Sequence, residues 1–414
     1  MRTNDFIRQT PYIAWALMFA TLCWGLFSNF YGSLTPEISV TLSLTPQNLG
    51  ALIMLMSAGG ALGAFLGGDI AQRFAPAPLL MVYLALVAVS LVLIVSSGDF
   101  ALVCVGYCLY SATSTAIITV SHSMLAHLNL SDGIRPRLLA LLDVGFSVGA
   151  TISPLWVTLL LMWHHDWRLP YVMFALPLLI IAASLLHRKA RADFAQIVTD
   201  TAANQSHNHT NGTSQSSYLA VIRAPWARWT WLCGILIGYA EWGNAYWFVN
   251  YATNGREIDV THARIGLAAF TGGMLIIRIW QAFYHSRWSN EQRMKRLTVV
   301  GTAMFIVLLA LPNHAHVLFV SMVSFMAGLG IGIIFPMLLN HLIEQVPHDA
   351  SKCSALLMLC IILGSQLGGL IIGFFATHVG IFAGYATISI AMVGFTYGIW
   401  RVYGEIKTPS APRS

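Results

Sequence analysis

Charge is what this chain has least of: only 9% of its 414 residues are Asp, Glu, Lys or Arg, against about 25% in an ordinary soluble domain. A soluble globule of this size cannot cover its surface with so few charges, which argues against a soluble enzyme, a disordered scaffold or a nucleic-acid-binding protein. Cysteine is sparse too. Cys23, Cys104, Cys108, Cys233, Cys353 and Cys360 lie in or beside apolar runs with no C-x-x-C pair, so no disulfide framework is implied. The H-E-x-x-H, G-x-S-x-G and Walker A runs are also missing, so neither an enzyme nor a cofactor is expected.

What is present is apolar: 57% of the chain, with 13 Trp and a mean hydropathy of +0.69. A helix crossing a bilayer needs about 20 mostly apolar residues. Twelve such runs are predicted, at about 12–34, 47–68, 77–97, 100–128, 137–161, 169–187, 226–251, 263–284, 296–312, 315–345, 352–377 and 381–402. The first is too long for a signal-peptide core and has no small-residue cleavage site. The connections are short except for 188–224, whose core Asn204–Ser217 is Asn, Ser, Thr, Gln and His-rich and reads as a flexible linker. The expected organisation is therefore an all-α integral membrane protein with an N-terminal six-helix bundle (1–187), a cytoplasmic linker (188–224) and a C-terminal six-helix bundle (225–414). His207, His209 and the two N-x-T triplets fall in that linker and are read as solvated chain, not as a metal or glycosylation site.

Lys and Arg are placed asymmetrically. With both termini on the cytoplasmic side, 18 of the 22 fall inside, Arg168, Arg256 and Arg264 fall outside, and Arg278 lies within a span. Positive-inside bias explains the net charge of +6 without a nucleic-acid partner. It predicts a monomeric multi-pass protein of the inner (plasma) membrane whose partners are lipid, protons and a small solute.

An internal repeat is suggested. Gly59-Gly60 in span 2 matches Gly272-Gly273 in span 8 at an offset of 213, and Gly145-x-x-x-Gly149 in span 5 matches Gly364-x-x-x-Gly368 in span 11 at 219, as His122 does His341. Twelve spans in two similar halves around a central linker resemble the major facilitator superfamily. Its G-x-L-A-D-R-x-G-R-R signature is similar to Gly68-Asp69-Ile-Ala-Gln72-Arg73-Phe-Ala75, with Gln72 replacing the acid, and its G-x-x-x-G-P to Gly149-x-x-x-Ser153-Pro154. Span 7, with Glu241, Trp247 and Tyr251, resembles the A-E-x-x-x-x-x-W-x-x-x-Y pattern of the fucose:proton symporter branch. The resemblance implies a secondary transporter, with Asp69 and Arg73 in a gating or ion-pair role.

An ionisable group within a span is costly and is a functional candidate by default. Glu241, Asn244, Trp247, Phe248 and Tyr251 follow one another at helical spacings, a polar and aromatic stripe suited to a solute with apolar and polar faces, or else a capped structural carboxylate. Asp143 and His122 lie about equally far from the hairpin centre at Asp132-Gly133, so they are expected at one depth, as a proton-coupling pair together with Glu241 or as a static ion pair. Arg278 binds an anion or pairs with an acid. Asn29, Tyr31 and Gln366 are further substrate candidates. Met322 and Met326 raise Cu(I) transport, although an i,i+4 Met pair is mostly packing. The leading expectation is proton-coupled uptake of a small polar, sugar-like solute by alternating access. The alternatives are proton-coupled efflux of amphipathic compounds and copper import. Reporter fusions after Asp193 and after Ser414 should both read as cytoplasmic; a periplasmic reading from either would overturn the twelve-span topology.

Overall fold

The computed structural model describes residues 10–74, 76–96, 98–127, 135–194, 222–224, 227–283, 288–345 and 350–405; the greater part of the expected linker lies outside them. Among the described residues there is no strand. The helices are α1 Tyr12–Ser28, α2 Phe30–Thr41, α3 Pro46–Arg73, α4 Pro76–Ser96, α5 Phe100–His127, α6 Arg135–Trp163, α7 Leu169–Met173 and α8 Ala175–Leu186. They continue as α9 Arg228–Asn250, α10 Val260–Phe283, α11 Asn290–Leu309, α12 Val317–Ile331, α13 Ile334–Gln345, α14 Ala350–His378 and α15 Ile381–Glu405. Three pairs continue one another across a local break (α1–α2, α7–α8 and α12–α13), so these helices form the twelve expected spans.

Ten spans among the described residues are long and apolar enough to cross a membrane on composition alone. The other two are α9 and α11, helices of 23 and 20 residues. Glu241, Asn244 and Asn250 dilute α9, and Glu291, Arg293, Lys295 and Arg296 crowd the start of α11. That start carries a capping box, in which Ser289 Oγ accepts from the Gln292 amide while the Gln292 side chain accepts from the Ser289 amide. Many apolar side chains face outward, among them Leu159 (61% exposed) and Ile390 (69%). Exposure on that scale needs lipid as the solvent.

Two boundaries differ from expectation. The first span runs on to Thr41 rather than ending at Leu34, because Pro36 sits within α2 without ending it. The chain is also helical over 188–194, burying Ala190 and Phe194, and the Asp193 carboxylate accepts from the Ile13 amide at 2.9 Å. Helix is therefore present at the start of the stretch read as linker.

The chain divides into two compact units, Met1–Leu34 with Leu55–Thr213, and Thr35–Met54 with Ser214–Ser414. In the first unit α1 packs along α6, and in the second α9 packs along α14. Glycine sets both approaches. A Cβ on Gly25 would lie 2.0 Å from the Phe146 carbonyl oxygen, and one on Gly149 would lie 1.9 Å from that of Leu22. In the second unit a Cβ on Gly238 would meet the Ile361 oxygen at 2.2 Å, and one on Gly364 would meet that of Ile235 at 2.0 Å.

These contacts correct the repeat. Residues 22 and 25 correspond to 235 and 238, an offset of 213, whereas 146 and 149 correspond to 361 and 364, an offset of 215. The sequence match at 219 was one helical turn out. A Gly-x-x-x-Gly pair repeats every four residues, so it aligns nearly as well with itself shifted by a turn.

Candidate functional site

In the first unit the facing ends of α5 and α6 bring together the two residues expected at one depth. His122 Nε2 lies 3.5 Å from Asp143 Oδ1, and His122 Nδ1 lies 2.9 Å from the Ile118 carbonyl oxygen. That carbonyl fixes the ring, with Nδ1 as donor and Nε2 presented to the carboxylate. The Asp143 side chain is 70% exposed and that of His122 is 36% exposed, so the pair is open to exchange with its surroundings. Such an arrangement can hold or pass a proton.

Asn29 has a different setting. It forms the break between α1 and α2, is almost fully buried, and its Nδ2 donates to the Ala150 carbonyl oxygen at 2.9 Å. In a regular helix that oxygen would accept from residue 154, but residue 154 is proline and has no N–H. The Asn29 amide replaces the missing donor. Tyr31 is also buried, edge-on to Tyr107 at 5.6 Å, and the Tyr107 hydroxyl is hydrogen-bonded to that of Tyr171. Phe27 stacks on Tyr110, with Trp24 and Phe174 beside them, so this part of the unit is a closed aromatic core.

In the second unit α9 carries the stripe. Glu241 is half-buried, and the cation of the neighbouring span, Arg278, lies on α10. Arg278 Nε donates to the Gly332 carbonyl oxygen at 2.8 Å, at the break between α12 and α13. Asn244 is buried and its Oδ1 accepts from the Tyr385 hydroxyl of α15 at 2.6 Å, while its Nδ2 has no partner among the described residues. Trp247 is fully buried, and its Nε1–H likewise has no acceptor among them. Tyr251 stacks face to face on Tyr385 at 4.0 Å, donates to the Leu309 carbonyl oxygen at 2.7 Å and accepts from Arg256 Nε at 2.7 Å. The helical stripe thus packs on α15 over Asn244 and Tyr251, and its hydrogen-bonding capacity remains open at Asn244 and Trp247. Gln366 is half-buried on α14. The side chains of Asp69 and Arg73 lie outside the described residues. Met322 is 69% exposed and faces outward.

The sequence did not reveal a long-range ion pair. Arg264, expected outside the membrane, is 3% exposed on α10 and bonded to Glu37 of α2 within the second unit. The signal was an acid next to Pro36 at the end of an apolar run, but its partner lies 227 residues away. Tyr385 was missed for the same reason.

A sequence profile of the Major Facilitator Superfamily matches residues 17–369. The chain belongs to this superfamily. Solved structures of the same fold include a point mutant of the nucleoside transporter NupG, with TM-score 0.74, 13% identity, covering 94% of this chain and 100% of that one. NupG without that substitution gives TM-score 0.70 at 14% identity, covering 96% of this chain and 98% of that one. A point mutant of the peptide transporter POT gives 0.74 at 14% identity, covering 96% and 95%. No curated protein sequence matches. The protein is a multi-pass membrane transporter rather than an enzyme.

The Asn29 contact makes a prediction. Asn29→Ala leaves the buried Ala150 oxygen without a donor and should cost about 1–3 kcal/mol of stability. Adding Pro154→Ala supplies the N–H at residue 154 and should recover most of that loss in a thermal-denaturation assay. An equal loss with and without Pro154→Ala would show that Asn29 does not act on this carbonyl.

Proposed function

We propose that this transporter carries out proton-coupled uptake of a small polar, sugar-like organic solute across the plasma membrane by alternating access, as a monomer with both termini cytoplasmic. The two bundles at 1–187 and 225–414 would rock about the solute. The observation that carries the reading is on α9: a half-buried carboxylate, Glu241, followed on the next turns by two buried N–H donors without acceptors among the described residues, Asn244 Nδ2 and Trp247 Nε1. Buried donors are normally satisfied by protein or water, so an arriving hydroxylated solute would gain two N–H donors and one carboxylate acceptor there. The neighbouring Tyr and Trp faces suit the apolar side of a sugar ring. The printed names of the fold neighbours extend the solutes to be tried to nucleosides and peptides.

Coupling is assigned to His122 and Asp143, whose 3.5 Å separation lets one proton be shared. Asp69 and Arg73 are proposed as gating groups, and Tyr251 and Gln366 as the outer frame of the solute site. Arg278 is proposed as the ion-pair partner of Glu241.

A thermal-shift screen of the purified protein against sugars, nucleosides, peptides, amino acids and organic acids identifies the solute. With that solute, Glu241→Gln should retain near-normal thermal stability and bind at least about tenfold more weakly, as expected for loss of a charged hydrogen bond of about 1.5–3 kcal/mol. Wild-type affinity combined with a marked loss of stability would make Glu241 a structural carboxylate. Asp143→Asn should abolish uptake driven by a pH gradient while leaving solute exchange, which needs no net proton movement, largely intact. Undiminished gradient-driven accumulation in that variant would remove Asp143 from coupling.

A further inference from the structure

Within the second unit α11 and α15 run antiparallel and are joined by small polar side chains. Thr396 Oγ1 donates to the Thr298 carbonyl oxygen at 3.4 Å, Thr302 Oγ1 to that of Met392 at 3.1 Å, and Ser389 Oγ to that of Phe305 at 3.0 Å. One residue beyond each contact the side chains are exposed: Val299, Ala303 and Ile306 on α11, and Ile390, Val393 and Tyr397 on α15. A step of one residue turns a helix by about 100°, and in antiparallel neighbours the two turns open to the same side. The pair therefore presents one apolar face, which on α15 runs on to exposed Trp400. From residue 390 to 400 the rise is about 15 Å, half of a hydrocarbon core about 30 Å thick. The face is as long as the acyl chains of one leaflet.

Where this face ends, the surface is cationic. Lys295 Nζ lies 4.7 Å from the centre of the Trp400 ring, and Arg296 Cζ lies 4.3 Å from that of Trp288. Beside them, Cζ of Arg401 and of Arg228 lie 5.3 and 5.9 Å from the Trp229 ring, which meets Tyr397 edge-on at 5.7 Å. Among the described side chains, the starts of α9 and α11 and the last turns of α15 carry Arg228, Arg293, Lys295, Arg296 and Arg401 against one carboxylate, Glu291, which accepts from Lys295 at 2.6 Å. Like charges gathered this closely repel one another, and an anion seated among them relieves that repulsion. Exposed Trp288 and Trp400 are the amphipathic rings that favour the boundary between headgroups and chains. We propose that the outward groove of α11 and α15 binds an anionic phospholipid, with its phosphate among Lys295, Arg296 and Arg401 and its acyl chains along the two apolar stripes. The cations select the head and the length of the stripes selects the tail. A free phosphate satisfies only the first of these.

Native mass spectrometry of the full chain, delipidated in detergent and titrated with dioleoyl phosphatidylglycerol or dioleoyl phosphatidylcholine, reads the affinity for the first bound lipid. The phosphatidylglycerol should bind at least about tenfold more tightly than the phosphatidylcholine. Lys295→Gln with Arg296→Gln should weaken phosphatidylglycerol binding by about tenfold or more and change phosphatidylcholine binding by less than about twofold, because only the headgroup charge has lost its partners. Arg188→Gln with Lys189→Gln, which removes two exposed cations from the first unit, should leave the preference intact. Inorganic phosphate in excess should not displace the bound lipid. Equal binding of the two lipids, the same loss in both paired variants, or displacement by inorganic phosphate overturns the proposal. Should the α11 pair of substitutions prevent folding, Arg401→Gln takes its place with the same outcomes.

Discussion

A proline in a membrane-spanning helix leaves the carbonyl four residues earlier without a donor, and in hydrocarbon no water takes its place. Much of the polar chemistry of this transporter follows from that constraint. Pro154 exposes the Ala150 oxygen, and Asn29 answers it from the break in the first span. Pro336 exposes the Gly332 oxygen, and Arg278 answers it from α10. In both places a polar side chain that composition alone would assign to solute binding already has a backbone partner. Intramembrane polarity is therefore a sound guide to where the protein has something to hold, and a weaker guide to whether it holds a ligand or itself.

The buried charges fall under the same accounting. Desolvating an ion pair costs about as much as the pair returns, so such pairs are weak evidence of stability, while removing one partner is expensive. Arg264 and Glu37 form one such set within the second unit, with Glu37 Oε2 buried and without a hydrogen bond among the described residues. The residues around Glu37 belong to Thr35–Met54, a segment that leaves the first unit at Leu34 and returns to it at Leu55. Its docking is also close at the backbone level: a Cβ on Gly50 would lie 2.3 Å from the Gly369 oxygen. The half-satisfied carboxylate and the glycine-to-glycine contact set the register of a segment that also buries Ile38, Leu49, Leu52 and Ile53.

The sequence revealed whatever rests on local pattern. Twelve apolar runs became twelve helical spans, and the matched depth of His122 and Asp143 brought them to 3.5 Å because a hairpin of two helices converts residue count directly into height. Non-local pairing was not legible. Glu37 with Arg264 and Asn244 with Tyr385 are separated by 227 and 141 residues, and nothing in either local segment names its partner. The repeat was legible in kind and off by one turn in register, because glycines four apart cannot distinguish a helix from itself shifted by a turn. Helical spacing suggested the α9 stripe, but the sequence could not say that Tyr385 would occupy the side of it bearing Asn244 and Tyr251.

The two donors that answer the proline-freed carbonyls differ in one physical respect. Asn29 offers a neutral amide, whose bond to Ala150 responds weakly to a nearby charge. Arg278 offers a guanidinium, whose position is governed by every anion within reach. The bond at Gly332 is therefore charge-assisted, whereas the bond at Ala150 joins two neutral groups. The paired units thus solve the same backbone problem with chemically unequal groups. That inequality makes the break in the second unit the more strongly held of the two, because a charged donor there is costlier to remove than the neutral amide at the first.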